Sequence, residues 1–339
     1  MGKAKRFLAV FAACVLAVSM VGCGAKKEET KKTETDSKKV EGSDKGLHIG
    51  VTMQGNQSGF VQYMTSAIYE YQKTQAPDVN LEVVFADDDA AKQLSQVETF
   101  VSKGVDAIIM NPVDKTQGAT AVDLASDAGI PVITLNTLTE SKNNAAHVGS
   151  DDVEAGRLQM ERIIEVCGDN AKLAYVDAVL GHSAQVGRAQ GYDEVLKENP
   201  GVELVVHDTG NWSPEESLRL VENWLQSGKE LNAILCQADC QLTGVITAVE
   251  NAGKIGEIKL AGMDCDPVIL KAIDDGKVDC SIWQDGLAQG ENAIRLAIEA
   301  AQGNEVEDYI IPYEVCTKDN LAEYKEKADA RDELAKKYF

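Results

Sequence analysis

VDAIIMNPVDKTQGATAVDLASDAGIPVITLN, residues 105–136, decides the fold. VDAIIMNP (105–112) reads as a strand stopped by Pro112, residues 116–128 as a helix ending near Gly129, and IPVITLN (130–136) as a second strand. Both strands are short continuous apolar runs, the pattern of strands buried on both faces. Two such strands joined through an amphipathic helix form a parallel βαβ unit, because a parallel pair needs a crossover and the crossover helix covers a face.

The same alternation runs outward in both directions. Upstream stand strand LHIGVTM (47–53), helix 59–76, strand LEVVFA (81–86) and helix 90–103. Downstream come strand AAHVGS (145–150), helix 151–167, strand KLAYVDA (172–178), helix 183–199, strand VELVVHD (202–208) and helix 214–227. Strand AILCQ (233–237), helix 241–252, strand IKLAGMD (258–264), helix 266–275, strand VDCSIWQ (278–284), helix 286–302 and strand IIPYEVCT (310–317) follow, and a charged segment, 319–339, closes the chain. So many units at so even a pace exceed one sheet. With right-handed crossovers the natural solution is two similar α/β lobes, each a parallel sheet covered by helices. The scarcity of aromatic residues, 5% of the chain, suits such layers better than an all-β sandwich.

The first 46 residues are of another kind. Lys3, Lys5 and Arg6 precede an apolar stretch from Phe7 to Val21, and Val21-Gly22-Cys23 closes it. About 15 apolar residues are too few to span a bilayer. The pattern is a secretory signal peptide over 1–22 ending in a lipobox, with Cys23 the lipidated residue carrying a palmitate-type anchor. GAKKEETKKTETDSKKVEGSDKG (24–46) lacks aromatics and cannot bury a core, so 23–46 reads as anchor and charged tether. That organisation predicts an extracytoplasmic protein, lipid-anchored to the cell membrane. Loss of the leader removes three basic residues and no acidic one, moving the formal charge from −22 to −25. Such a charge opposes nucleic acid and anionic lipid surfaces as partners. Six cysteines remain besides the anchor and Cys14 in the leader: Cys167, Cys236, Cys240, Cys265, Cys280 and Cys316. Their spacing is not that of a small stapled scaffold, and buried thiols or one or two disulfides are both open.

Ligands of open parallel sheets bind outside the carboxyl ends of the strands. Here those ends carry Gln54-Gly55-Asn56-Gln57, Asn111, Asn136-Thr137, Gln237-Ala238-Asp239, Met263-Asp264-Cys265 and Trp283-Gln284-Asp285. Amides, carboxylates and nearby aromatic rings suit a small polyhydroxylated or polar ring, whose hydroxyls need donors and acceptors and whose C–H faces need apolar cover. Catalytic patterns are weak. Gly181-His182-Ser183-Ala184-Gln185 lacks the closing glycine of a nucleophile elbow, no H-E-x-x-H occurs, and Asp87-Asp88-Asp89 reads as an acidic helix start rather than a calcium loop. An enzyme, a metal centre and a cofactor are therefore not expected.

VDAIIMNPVD (105–114), GIPVITLN (129–136), HVGSDDVEAG (147–156), GRAQGYDEV (187–195), CQADCQLTGVITAVENAG (236–253), LAGMDCDP (260–267) and DGKVDCSIWQ (275–284) occur in one order. The ordered series, over roughly residues 47–318, resembles the type I solute-binding proteins of the ribose and galactose class, receptors of sugar ABC importers. The resemblance implies two Rossmann-like lobes joined by three hinge strands, closing around one ligand. It implies an N-terminal lobe of 47–147 plus 285–308 and a C-terminal lobe of 148–284 plus 309–339. Its partners would be a small-molecule solute and the permease and ATPase subunits, with no nucleic acid, and the protein a monomer. A ligand-sensing receptor of the same fold feeding a sensor kinase or chemotaxis system is the alternative.

Carried over by position, Phe60 and Trp212 match the two aromatics that sandwich a sugar ring, Asp264 a carboxylate that accepts from ring hydroxyls, and Gln284 a hinge-strand amide. Asp239 falls in the Q-x-D of a strand end, where it could instead cap the following helix; Trp212 could instead be core. The chain departs from ribose binders elsewhere. Asn136-Thr137 stands for Asp-Arg, Val186 for an arginine and Ala238 for an asparagine, while Arg188 matches a second, mostly structural arginine. Two guanidinium contacts are thus missing and are not replaceable like for like. Asn56, Gln57 and Gln185, with Gln54, are neutral donors that could take their place, leaving a sugar, a polyol, a modified sugar or a nucleoside-like ring open.

Overall fold

The computed structural model describes residues 46–339. Cys23, the leader and nearly all of the tether lie outside them. The first sheet gathers β1 (His48–Met53), β2 (Asn80–Phe85), β3 (Ala107–Met110), β4 (Val132–Leu135), β5 (Ala146–Gly149) and β11 (Tyr309–Ile310) in the order β11-β5-β4-β3-β1-β2. Every pairing in it is parallel. The second gathers β6 (Lys172–Asp177), β7 (Glu203–Thr209), β8 (Ala233–Cys236), β9 (Lys259–Met263), β10 (Cys280–Trp283) and β12 (Glu314–Thr317) in the order β12-β10-β9-β8-β6-β7. There only the β10–β12 pair is antiparallel.

Strand alternation explains the layers. In β3, Ile109 faces α1 (Gly59–Gln75) and α9 (Gly286–Ala301), while Ile108 and Met110 face α2 (Ala90–Lys103) and α3 (Lys115–Asp127). In β8, Ile234 and Cys236 face α6 (Pro214–Gln226), α7 (Asp239–Asn251) and α8 (Pro267–Asp274). Ala233 and Leu235 of the same strand face α4 (Asp152–Cys167) and α5 (Ser183–Glu198). Helices start where an acid or serine follows a strand: Asp89, Asp114, Asp151 and Ser213 each accept amide hydrogens of the first turn. Asp89, last of the three-aspartate run, is thus a helix cap.

The chain crosses between sheets three times, after β5, after β10, and between β11 and β12. The last crossing corrects the single strand expected over 310–317. Pro312, which has no amide hydrogen to donate, stands between two short strands that belong to different sheets. The closing charged segment is a helix, α10 (Leu321–Ala335). All six cysteines among the described residues are free, and Cys236, Cys265, Cys280 and Cys316 are buried. Burial pushes the Cys236, Cys265 and Cys280 thiols up, away from the thiolate form.

Candidate functional site

Backbone strain marks the strand ends. Among the described residues, the non-glycine positions with positive φ are Asp87, Asp88, Asn136, Asn211, Trp212, Asp264 and Cys265. All seven lie just past the carboxyl end of a strand, β2, β4, β7 or β9. Asp264, at φ 112°, occupies a conformation otherwise left to glycine. Residues held this way persist only where the surroundings over-determine them, and they cluster at binding sites. The two sets of strand ends meet at the lips, where the Leu138 amide donates to Ser183 Oγ at 3.3 Å.

On the first lobe, Phe60 is half-buried in the first turn of α1 and lies close to Gly286 at the start of α9. Asn56 and Gln57 precede that helix. Gln57 is exposed and donates to Asn56 Oδ1 at 2.7 Å, and the Asn56 carbonyl accepts from Gln62 at 2.8 Å. Asn136 donates to Gln289 Oε1 at 3.1 Å, and Gln289 in turn reaches Ser150 Oγ at 3.2 Å on the first crossing. Asn111 is committed inward, donating to the Leu135 carbonyl at 3.0 Å. Gln284 is buried on the second crossing.

On the second lobe, Gln185 bridges the loop before α5: it accepts the Gly181 amide at 3.1 Å and donates to Asp177 Oδ1 at 2.9 Å. Trp212 is half-buried rather than core, and meets His182 edge-on at 5.8 Å. Arg188 is buried and fully engaged, with Nε on Asp152 Oδ1 at 3.0 Å, Nη1 on the Gln237 carbonyl and Nη2 near Tyr313 Oη at 3.4 Å. Burial works against its charge, but the Asp152, Tyr313 and Asp264 partners outweigh that and hold its pKa above the ordinary value. Asp152 follows the first crossing and Tyr313 lies in the third, so this guanidinium fastens two crossings to α5. Asp239 points inward as well. Its carboxylate accepts Ser281 Oγ at 3.0 Å and the Asp266 amide at 2.9 Å, at the start of α8 rather than of its own helix.

Asp264 is the electrostatic centre. Its carboxyl is pushed up to about 7, first by burial and then by the neighbouring Asp266 charge, against the pull of Arg188, Arg331 and the Asp239 amide. Asp239 and Asp266 are raised too, burial again leading. A carboxyl held this high gains from any hydroxyl donors brought to it, because they restore what desolvation removed.

Four positioning residues escaped the sequence reading: Asp152, Tyr313, Gln289 and Arg331. Asp152 follows one crossing and Tyr313 lies in another, inside what the sequence reading took as a single strand, and their pairing spans 161 positions, so no local pattern announces it. Of the described residues, none form a histidine, cysteine and acid group placed to hold a metal ion, and no helix is long and apolar enough to cross a membrane.

Two mostly parallel sheets, three crossings and facing strand ends define a two-lobed binding protein. The periplasmic binding protein domain family matches residues 49–305, and the chain belongs to that family, whose members bind solutes and are not enzymes. It is 33% identical over 290 residues to a protein of Rhizobium meliloti named for rhizopine binding, covering 82% of this chain and 93% of that one. It is 28% identical to a xylitol-binding protein of Mycolicibacterium smegmatis, over 92% of this chain and 86% of the other. Among solved structures, an ABC transporter solute-binding protein from Bacillus halodurans with bound myo-inositol superposes with a TM-score of 0.81. The two are 38% identical, over 84% of this chain and all of that one.

Proposed function

We propose that this chain is the extracytoplasmic receptor of an ABC importer for a neutral polyol, of the cyclic inositol type or close to it. The observation that carries the reading is the charge budget of the cleft. Arg188 is spent on Asp152, the Gln237 carbonyl and Tyr313, so the strand ends offer amides, one raised carboxyl and aromatic rings. Such a set matches a molecule that presents hydroxyls all round and carries no charge. Phe60 and Trp212 would cover its C–H faces, Asp264 would accept from hydroxyls, and Asn56, Gln57, Asn136, Gln185 and Gln284 would supply mixed donors and acceptors. Asp239 and Arg188 act from behind, as supports. The 38% identity to a structure with bound myo-inositol, against 28% to relatives named for xylitol and for ribose, supports a cyclic polyol over an aldopentose. Calorimetric titration with myo-inositol, xylitol, D-ribose and D-allose tests it. A binding heat with a polyol and a far weaker one with ribose is expected; heat from ribose alone, or from none of the four, overturns it.

The lobes would be those expected from the sequence with their bounds moved to keep β5 and β11 whole in the first: 47–149 with 285–310, and 150–284 with 311–339, the protein acting as a monomer. The anchor belongs to the same reading. The Val21-Gly22-Cys23 lipobox would hold the receptor on the outer face of the membrane beside its permease and ATPase. Cys23→Ser should move the protein from the membrane fraction to the soluble one, and retention on the membrane would refute the anchor.

A further inference from the structure

α10 belongs by sequence position to the second sheet, yet it holds both lobes. On the second lobe, Tyr324 Oη donates to Glu314 at 3.0 Å, Lys327 pairs with Glu314 at 2.6 Å, and Lys325 reaches Asp274 at the end of α8 at 2.5 Å. On the first lobe, the residues past α10 grip α1. Lys337 pairs with Glu70 at 2.8 Å, Tyr338 Oη donates to the same carboxylate at 2.6 Å, and the Tyr338 ring stacks on Tyr69 at 5.2 Å. Phe339 meets Phe85, at the end of β2, edge-on at 6.2 Å.

Between the two grips sits Arg331, the largest fully buried side chain described. Nη1 donates to the Asp264 carbonyl at 2.8 Å and Nη2 to the Cys265 carbonyl at 3.1 Å. These are the two positive-φ residues of the β9 turn that carries the raised carboxyl. The guanidinium lies over the Tyr63 ring of α1, 4.1 Å from its centre, and over the Trp283 ring beside the second crossing at 5.0 Å. One planar cation therefore touches the ligand-facing turn of one lobe, the helix behind Phe60 of the other, and a hinge strand.

We propose that α10 and the four residues after it are a strap that sets how far the lobes open, and that Arg331 is a positioning residue for the Asp264 carboxyl. A turn in so unfavourable a backbone state needs an outside clamp, and two charge-assisted bonds to its carbonyls supply one. Opening must either break the grip on α1 or pivot about it. Besides Arg331, the charged and titratable groups facing Asp264 are Asp266 at the cap of α8, Asp239 and Cys240 from α7 and Arg188 from α5. Asp332 and Tyr63 stand on the far side of Arg331.

The test uses the full-length chain with deletion of residues 336–339, with Glu70→Ala, and with Arg331→Met beside Arg331→Lys. Small-angle scattering without ligand reads lobe opening. Both strap variants should give a larger radius of gyration than wild type, and myo-inositol should leave about 3–10 times faster, as expected for loss of a few exposed contacts. Arg331→Met should move the rise of myo-inositol affinity with pH upward, and Arg331→Lys should restore most of it. Wild-type scattering and wild-type dissociation in both strap variants would overturn the strap. An unmoved pH profile in Arg331→Met would overturn the positioning role. The affinity arms rest on the polyol reading; if myo-inositol fails to bind the wild type, that reading fails, while scattering still decides the strap.

Discussion

On the proposed reading, Asp264 concentrates the chemistry of the candidate site in one side chain. Burial and then the Asp266 charge push its carboxyl from an ordinary 3.8 up to about 7, so the native state holds the proton more tightly than the unfolded chain does. The stability this contributes is complete below the ordinary value and is lost as pH rises through about 7. Thermal unfolding of the ligand-free protein should therefore show falling stability across that interval, and Asp264→Asn should flatten the slope. Binding has the opposite sign. If ligand hydroxyls donate to the ionised form, as proposed, affinity should climb with pH and level off above about 7, with a proton released below it. Titration in buffers of different ionisation enthalpy measures that proton; none released at pH 6 would count against Asp264 as the acceptor. Asp264→Ala should cost about 1.5–3 kcal/mol of binding, the worth of a hydrogen bond to a charged group. Trp212→Ala should weaken binding while the melting temperature stays close to wild type, since the ring is only half-buried.

At the scale of elements, helix crossings are set by glycine. A Cβ on Gly191 in α5 would stand 2.2 Å from the Val153 carbonyl of α4, and one on Gly290 in α9 would stand 2.1 Å from the Met64 carbonyl of α1. In both cases the obstacle is backbone and cannot swing aside. Gly191→Ala and Gly290→Ala should each destabilise by about 1–3 kcal/mol, the usual range for overpacking. Chemical denaturation measures it; a loss under about 0.5 kcal/mol, the scale of an ordinary surface substitution, would show that the crossings give way. The same elements show what sequence could and could not tell. Strands such as β3 and β4 are wholly buried apolar runs and were legible at once. α10 was not, because its buried stripe of Leu321, Tyr324, Ala328, Arg331 and Ala335 contains an arginine, and the surrounding charges hide the helical spacing. The strand expected over 310–317 failed for a related reason: a continuous apolar run does not say that its halves serve different sheets. Of the candidate site, the strand ends could be read from the order of elements, whereas Phe60 and Trp212 came only from the resemblance and their part in binding is a proposal. What Asp239 and Arg188 do could not, because a buried carboxylate or guanidinium is defined by partners distant in sequence.

For the whole molecule, the decisive property is that one ligand would touch two lobes. Each lobe carries its own core, one pair of clusters about the first sheet and another about the second, and three crossings plus α10 join them. A solute bound to strand ends of both stabilises the closed native form by mass action, about 2.7 kcal/mol when it is present at 100 times its dissociation constant. Because contact is shared, protection cannot be confined to one side. Hydrogen exchange with and without saturating myo-inositol should slow together at the Asn136–Thr137 turn of the first lobe and the Asp264–Cys265 turn of the second, while outer helices such as α3 change little. Protection at only one of these turns would place the ligand on a single lobe and remove the reason for closure. Protection at both in wild type, but only at Asn136–Thr137 in Asp264→Ala, would identify the second-lobe turn as the half of the clamp that depends on a single carboxyl.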